Sequence, residues 1–460
     1  MGRNPCRMRL VGSFRCMVKR TCRIVLSLAW GVAFVPVLLG QAAADERTVD
    51  PHLQQAILDS VTAALNGTYV FPDKATAMEA FVRKQFKDGK YKSITQLDAF
   101  TQALTEDLRS VCRDRHLAVR PQPAGAVGSP EPAPEEQKKE QLKEWQRENF
   151  GFRKLQLLPG NIGLLDLRFF ADARTGGATA EAAMHFLAHA DAVVFDLRLN
   201  GGGEPSMIQL ITSYLFEEPV HLNSFYIRKS DSTRQFWTQS HVAGRRMKDT
   251  PVYILTSRLT FSGAEEFTYN LKNLKRATVI GETTGGGAHP VEFRSFKALG
   301  VAMSLPFGRA VNPITKTNWE GTGVAPDIGC PAEQALIRAQ IEAATLLAGK
   351  ARDSREKRRL EWIIQGLESE LHPAVLDSQA LKAYAGVYGP RTVTLENGAL
   401  YYKREQRMKY PMVPVGKDMF MLKDLDFFRI QFKRDASGRI NEFVGLYDDG
   451  TTDSNPKSGK

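Results

Sequence analysis

Apolar residues recur at helical spacing near the start of the chain. Leu53, Ile57, Val61 and Leu65 share one helical face, as do Phe100, Leu104 and Leu108, so residues 50 to about 110 read as helices. From Asn161 the pattern changes to short, uniformly apolar runs. Residues 162–167, 193–198 and 252–256 have the form of buried strands. Helical stretches at 178–190, 206–216 and 262–274 alternate with them, and a further strand is expected at 277–281. Strands alternating with helices argue for an α/β layered core. Two more strand-like runs, 291–296 and 300–305, follow a glycine-rich stretch.

The flanks differ from this core. Residues 121–147 read as a linker, opening with Pro121-Gln122-Pro123-Ala124-Gly125 and passing into a charged run that suits a solvated face. Residues 332–370 are helical and highly charged. From 381 to 450, short strands alternate with turn signals such as Asn397-Gly398 and Asp448-Asp449-Gly450. That is the pattern of a small antiparallel β domain, with Tyr402, Phe420, Phe427 and Phe428 as its expected core. The expected division is an N-terminal helical domain at 45–120, a linker at 121–147, a core at 148–335, charged helices at 336–375 and the β domain at 376–455.

The first 44 residues change the meaning of the net charge. Arg3, Arg7, Arg9, Arg15, Lys19, Arg20 and Arg23 form a basic region without an acid, and an apolar stretch runs from Ile24 to Gly40. Ala42-Ala43-Ala44 then offers a cleavage site before Asp45. A cleaved signal peptide is expected rather than an anchor, because the apolar stretch is short and contains Pro36. The exported chain would act in the periplasm or outside the cell, with no stable membrane span. The formal charge of +11 includes the seven leader cations, leaving +4 for the rest. So mild a basicity is no nucleic-acid signature. Cys6, Cys16 and Cys22 leave with the leader. Cys112 and Cys330 remain, either as one disulfide or as two thiols.

Thr260-Phe261-Ser262-Gly263-Ala264-Glu265-Glu266-Phe267 puts a serine at the mouth of a helix, directly after a buried strand. Ser262 there is either a plain N-cap or a nucleophile whose oxyanion the free N–H groups of the helix start would hold. Asp196-Leu197-Arg198-Leu199-Asn200-Gly201-Gly202-Gly203 ends another strand in three glycines. It lacks the lysine and spacing of a phosphate loop, and suits a tight turn or one half of an oxyanion hole. For a base, Asp114-Arg115-His116-Leu117 offers His116, and His289 competes. Asn318-Trp319-Glu320-Gly321 offers Glu320 as the group that orients it. His185 and His189 share a helix face but lack the intervening glutamate of a zinc protease, so no metal is expected there.

With these motifs in this order, residues 150–330 resemble the tail-specific (C-terminal processing) serine peptidase family, which includes the tricorn core protease and the interphotoreceptor retinoid-binding protein. The resemblance rests on Asp196 to Gly203, Thr260 to Phe267, Arg276 to Gly287 and Glu320 to Asp327. The helices ending at His116 resemble its retinoid-binding-protein-like branch. The resemblance implies a crotonase-like (ClpP/crotonase) α/β core, and a serine endopeptidase acting on peptides or unfolded protein without cofactor. It implies Ser262 as nucleophile, His116 as base and Glu320 as orienter. The N–H of Gly263, just after the serine, and one from Gly201 or Gly202 are expected to supply the oxyanion hole, because two fixed backbone donors there hold the charge that acyl transfer concentrates. Serine–lysine members carry their lysine 25 residues beyond the serine, where this chain has Gly287, so that dyad is excluded. Lys272 and Lys275, on the serine's own helix, read as a solvated face. An apolar-ligand binding protein on the same fold, or a hydrolase of small esters or amides, are the alternatives.

Overall fold

A computed structural model describes residues 47–122, 134–374 and 376–459. The expected leader and its cleavage site lie outside them, as does the middle of the expected linker. Three helices come first: α1 (Pro51–Thr68), α2 (Pro72–Lys87) and α3 (Leu97–Cys112). The Asp50 carboxylate caps α1 by accepting from Leu53 N–H at 2.7 Å, and prolines open α1 and α2 where no N–H is needed. Then follow β1 (Ala118–Pro121), α4 (Pro134–Arg147), β2 (Phe152–Leu158), β3 (Ile162–Leu167), α5 (Ala173–Leu187), β4 (Ala192–Asp196) and α6 (Pro205–Ser213). Next are β5 (His221–Ile227), β6 (Ser232–Trp237), β7 (Val252–Thr256), α7 (Gly263–Asn273), β8 (Thr278–Gly281), β9 (Val291–Phe296), β10 (Val301–Pro306), β11 (Gly308–Val311) and β12 (Ile328–Gly329). Helices α8 (Ala335–Lys350), α9 (Ser354–Leu371) and α10 (Ser378–Tyr384) lead to the C-terminal strands.

The central sheet has the order β12-β8-β7-β4-β3-β2, with only β2 antiparallel to its neighbour. Successive residues of its strands alternate between two buried faces. Leu165, Val193, Phe195 and Ile254 pack under α5, α6 and α7; Leu164, Val194, Tyr253 and Leu255 pack under α8. This explains why the strands carry no polar alternation. Two small antiparallel sheets flank the core, β11-β5-β6 and β1-β10-β9. Val301, Met303 and Leu305 of β10 share one apolar core with Ile57, Val61, Phe100 and Leu104. The N-terminal helices are thereby bound to the sheet whose strands β1 and β9 begin just after His116 and His289.

Phe267 sits at the centre of the α7 face, fully buried, with ring centroids 5.2 Å from Phe195 and 5.6 Å from Phe170. Phe267→Ala is expected to lower the unfolding free energy by about 3–5 kcal/mol in chemical denaturation, since the close-packed helices can only partly collapse into the void. A loss below about 1 kcal/mol would show that this face repacks freely.

The C-terminal strands are β13 (Gly386–Tyr388), β14 (Arg391–Glu396), β15 (Ala399–Arg404), β16 (Lys409–Gly416), β17 (Met419–Leu422), β18 (Leu425–Arg434), β19 (Ile440–Tyr447) and β20 (Thr452–Pro456). They pair in sequence order, and an antiparallel bridge from Tyr388 to Lys457 joins the first to the last. Tyr402, Phe420 and Phe428 fill the interior as expected. Phe427 does not: one position out of phase with Phe428, it points outward and is 50% exposed. Helix α9 leans on this ring, with Trp362 Nε1 donating to Asp426 O at 2.7 Å and the Arg429 guanidinium 3.8 Å above the indole. Cys112 and Cys330 are both free thiols. Among the described residues no helix is long and apolar enough to cross a membrane.

Candidate active site

Between β7 and α7 the backbone turns sharply. Ser262 is the N-cap of α7 and adopts φ 54°, ψ −119°, a conformation that costs a residue with a Cβ a kcal/mol or more, about 1–3 in general. Glu265, one turn into the helix and fully buried, holds it there. Its Oε2 accepts from Ser262 N–H at 2.9 Å and from Gly287 N–H at 2.8 Å; its Oε1 accepts from Gly286 N–H at 2.6 Å and the Thr284 hydroxyl at 2.5 Å. Burial pushes this carboxyl above the usual range, and the four donated bonds oppose the shift. One side chain thus fastens the serine turn to the glycine loop 285–287.

The loop after β4 is pinned by Asn200, which is fully buried. Its Nδ2 donates to Leu167 O at 2.9 Å, its Oδ1 accepts from Gly202 N–H at 2.8 Å, and its carbonyl accepts from Phe261 N–H at 3.0 Å. Gly202 and Gly203 take φ of 111° and 135°. A Cβ on Gly202 would lie 2.8 Å from both Gly263 N and Ser262 Cβ, so only glycine lets the two loops meet. Gly202, expected as an oxyanion donor, gives its N–H to Asn200 Oδ1 in an Asx turn. Gly201 is exposed. The N atom adjacent to Gly263 is that of Gly203, 2.9 Å from where a Gly263 Cβ would stand.

The turn between α3 and β1 carries Asp114 and His116. Asp114 Oδ1 accepts from His116 N–H at 3.0 Å, while Oδ2 accepts from the Tyr69 hydroxyl at 3.1 Å and faces His289 Nδ1 at 2.6 Å. The His116 ring lies over Phe261, the residue before the serine, with centroids 4.6 Å apart. Arg115 donates to Gly285 O and ties this turn to the glycine loop. A Cβ on Gly287 would come within 2.6 Å of both His116 Cε1 and Phe261 Cε2. Glu320 reaches the same loop from the other side. Its Oε2 accepts from Ala288 N–H at 2.6 Å and lies 3.6 Å from His289 Nδ1. Trp319 Nε1 donates to Gly287 O at 2.6 Å, which fixes the turn that presents Glu320.

Ser262, His116 and Glu320 therefore gather around residues 285–288, though the histidine in contact with Glu320 is His289. Two buried polar atoms here have no partner among the described residues: His116 Nδ1 and Glu320 Oε1. Burial drives the His116 imidazole down to about 4, against the nearby Asp114 charge. An ordinary imidazole titrates at about 6.5. For His289, burial is outweighed by the bond to Asp114 and by the Asp114 and Glu320 charges, and the imidazole titrates above its ordinary value. Burial, and then the Asp114 charge, push Glu320 up to about 7. Asp114 is buried too, yet its bond to His289 and the neighbouring imidazoles hold its carboxyl below the usual range.

The other candidates lie elsewhere. His185 Nε2 contacts Ala243 O at 2.8 Å, and His189 Nδ1 contacts Arg245 at 3.1 Å. Lys272 is no mere solvated residue: its Nζ donates to Ala325 O at 2.7 Å and Asp327 Oδ1 at 2.6 Å, holding α7 to the segment before β12.

Residues 161–330 match the family model described as Peptidase family S41, and residues 52–150 match the one described as the N-terminal domain of Peptidase_S41 in eukaryotic IRBP. A probable CtpA-like serine protease of Staphylococcus haemolyticus (strain JCSC1435) is 30% identical over 190 residues, covering 38% of this chain and 35% of that protein. The chain thus matches about a third of that relative's length. Among solved structures, a lipoprotein from Streptococcus agalactiae is similar at 17% identity, covering 64% of this chain and 96% of that one, with a TM-score of 0.42. The photosystem II D1 C-terminal processing protease is similar at 17% identity over 61% and 94%, with a TM-score of 0.38.

Proposed function

The chain belongs to peptidase family S41, through its core and its N-terminal part alike, and from that premise we propose that it is an exported serine endopeptidase. It cleaves peptide or unfolded-protein substrates through an acyl-enzyme, on a layered core of crotonase-like type. Ser262 Oγ attacks the scissile carbonyl and His116 takes the hydroxyl proton. The oxyanion forms against the N–H groups of Gly263 and Gly203. His116 then gives its proton to the leaving amine as the C–N bond breaks, and water repeats the cycle on the acyl-enzyme. On this reading Glu320 orients His116: Oε1 and Nδ1 are both buried and neither has another partner among the described residues, although the two side chains make no hydrogen bond or ion pair with each other in this arrangement. The observation that carries this reading is the serine turn: a strained backbone clamped by a buried carboxylate, with an imidazole tilted over the ring of the preceding residue. Strain of this kind persists only where the surroundings enforce it, and it exposes the side chain at the turn's apex.

The reading gives a pH signature. His116 at about 4 is already neutral, and thus competent as a base, throughout the physiological range. Glu320 at about 7 becomes the carboxylate that orients it only as the pH rises through neutrality. Labelling of Ser262 by a fluorophosphonate is expected to rise with pH and reach half its maximum near 7. A single limb near 4 would leave His116 in sole control and remove Glu320 from the mechanism.

A further inference from the structure

Asp114, His289 and Glu320 come from three distant stretches of chain, yet each offers an atom within 4.8 Å of the others. Their side chains are nearly withdrawn from water: 1% exposed for Asp114, 4% for His289 and 16% for Glu320. Two carboxylates this close and this buried cannot both stay ionised unless a cation sits with them. The surroundings supply few charges for that purpose. The Arg109 guanidinium of α3 acts on Asp114 electrostatically, but its N–H groups are bound to Leu117 O and Arg115 O at 2.7 Å each and it forms no ion pair with the carboxylate. Tyr69 and Phe71, after α1, contribute a hydroxyl to Asp114 and a ring edge to His289 at 5.7 Å. Arg309 of β11 lies over the outer side of Phe71, and its charge opposes protonation of His289. His116 carries no charge at neutral pH, and Glu265 adds another acid. Among the described residues, His289, 2.6 Å from Asp114 and 3.6 Å from Glu320, is the one basic group that pairs with both acids.

We propose that His289 is a positioning residue for the catalytic base: held as an imidazolium between Asp114 and Glu320, it keeps the Glu320 carboxylate ionised and leaves Oε1 to receive Nδ1–H of His116. The proposal rests on the roles given above to Ser262, His116 and Glu320. Asp114 has a double part, since its Oδ1 sets the His116 backbone while its Oδ2 charges His289. The acid that orients the base is thus controlled from behind by a second histidine that touches neither the serine nor the substrate.

The test follows the rate of fluorophosphonate labelling of the purified protein against pH. His289→Gln keeps an amide to meet Asp114 but removes the positive charge. Its half-maximal pH is expected to move upward by about one unit or more, because Glu320 then ionises beside an uncompensated Asp114. Adding Asp114→Asn removes that like charge and should return the midpoint to within about half a unit of wild type. Lower labelling at every pH with an unmoved midpoint in both variants would overturn the proposal, as a packing role alone does that. Should His289→Gln fail to fold, the imidazole ¹⁵N spectrum of the wild-type protein decides. A doubly protonated His289 at pH 7 supports the proposal and a neutral one overturns it. Loss of labelling on chelation, restored by a divalent cation, would also overturn it, by putting a metal where the imidazolium is required. Glu320→Gln separates the two levels. If it labels like wild type, the Ser–His–Glu reading itself fails. If it is slow while His289→Gln keeps the wild-type midpoint, only the present proposal fails.

Discussion

Ser262→Ala is expected to lower peptide-bond turnover by about a million-fold and to abolish fluorophosphonate labelling. The substitution is a clean one in this backbone. The Glu265 carboxylate grips Ser262 through its N–H, so alanine keeps that clamp and loses only the reciprocal half of the capping box, in which the Ser262 side chain accepts from the Glu265 backbone. Alanine also pays no new conformational penalty, because serine already carries a Cβ at φ 54°. The glycine contacts around it are unchanged, and the far-ultraviolet spectrum and thermal midpoint should stay near those of the parent. Folded Ser262→Ala protein that still turns over a casein substrate at the parent rate would place the nucleophile elsewhere.

His116→Ala should cost about as much, and the double variant Ser262→Ala with His116→Ala should be no slower than either alone. Groups that act in one proton transfer fail together, so their losses do not add. The turn itself survives, since Asp114 holds residue 116 by its backbone N–H and Arg115 still reaches Gly285. What disappears is the imidazole over Phe261. If His116→Ala kept its rate while His289→Ala lost it, the base would be His289 and the assignment would shift by one histidine. Single-turnover labelling distinguishes the two without knowledge of the natural substrate.

The central sheet was the most legible part of the chain. Strands β3, β4 and β7 are buried on both faces, which leaves short, almost wholly apolar runs between helical stretches. The hairpin β5–β6 was not legible. All of β6 except Phe236 faces solvent, so Ser232–Trp237 reads as polar loop, and no turn dipeptide marks the bend. Ser262, His116 and Glu320 stand in recognisable motifs. The parts that hold them do not. Glu265 has the spacing of a capping box with Ser262, a signal that locates the bond to Ser262 N–H but not the three bonds to residues 284–287. Asn200 looks like an ordinary turn residue until its side chain is seen bridging β3 and the glycines. His289 and Asp114 are 175 residues apart, and a lone histidine carries no mark of a distant acid.

Gly287 has a consequence beyond this molecule. Nothing larger than hydrogen fits there, because the His116 and Phe261 rings already occupy the space in which a side chain would begin. In serine–lysine members of the family the lysine stands at this position. On the proposed mechanism, the two ways of supplying a base therefore compete for one volume. A lysine at 287 would expel the imidazole before its own amine could reach the serine, and loss of the imidazole alone leaves no base at all. On that mechanism, exchanging one base for the other calls for change at 116, 261 and 287 together. The choice of base is then set by a glycine with no chemistry of its own.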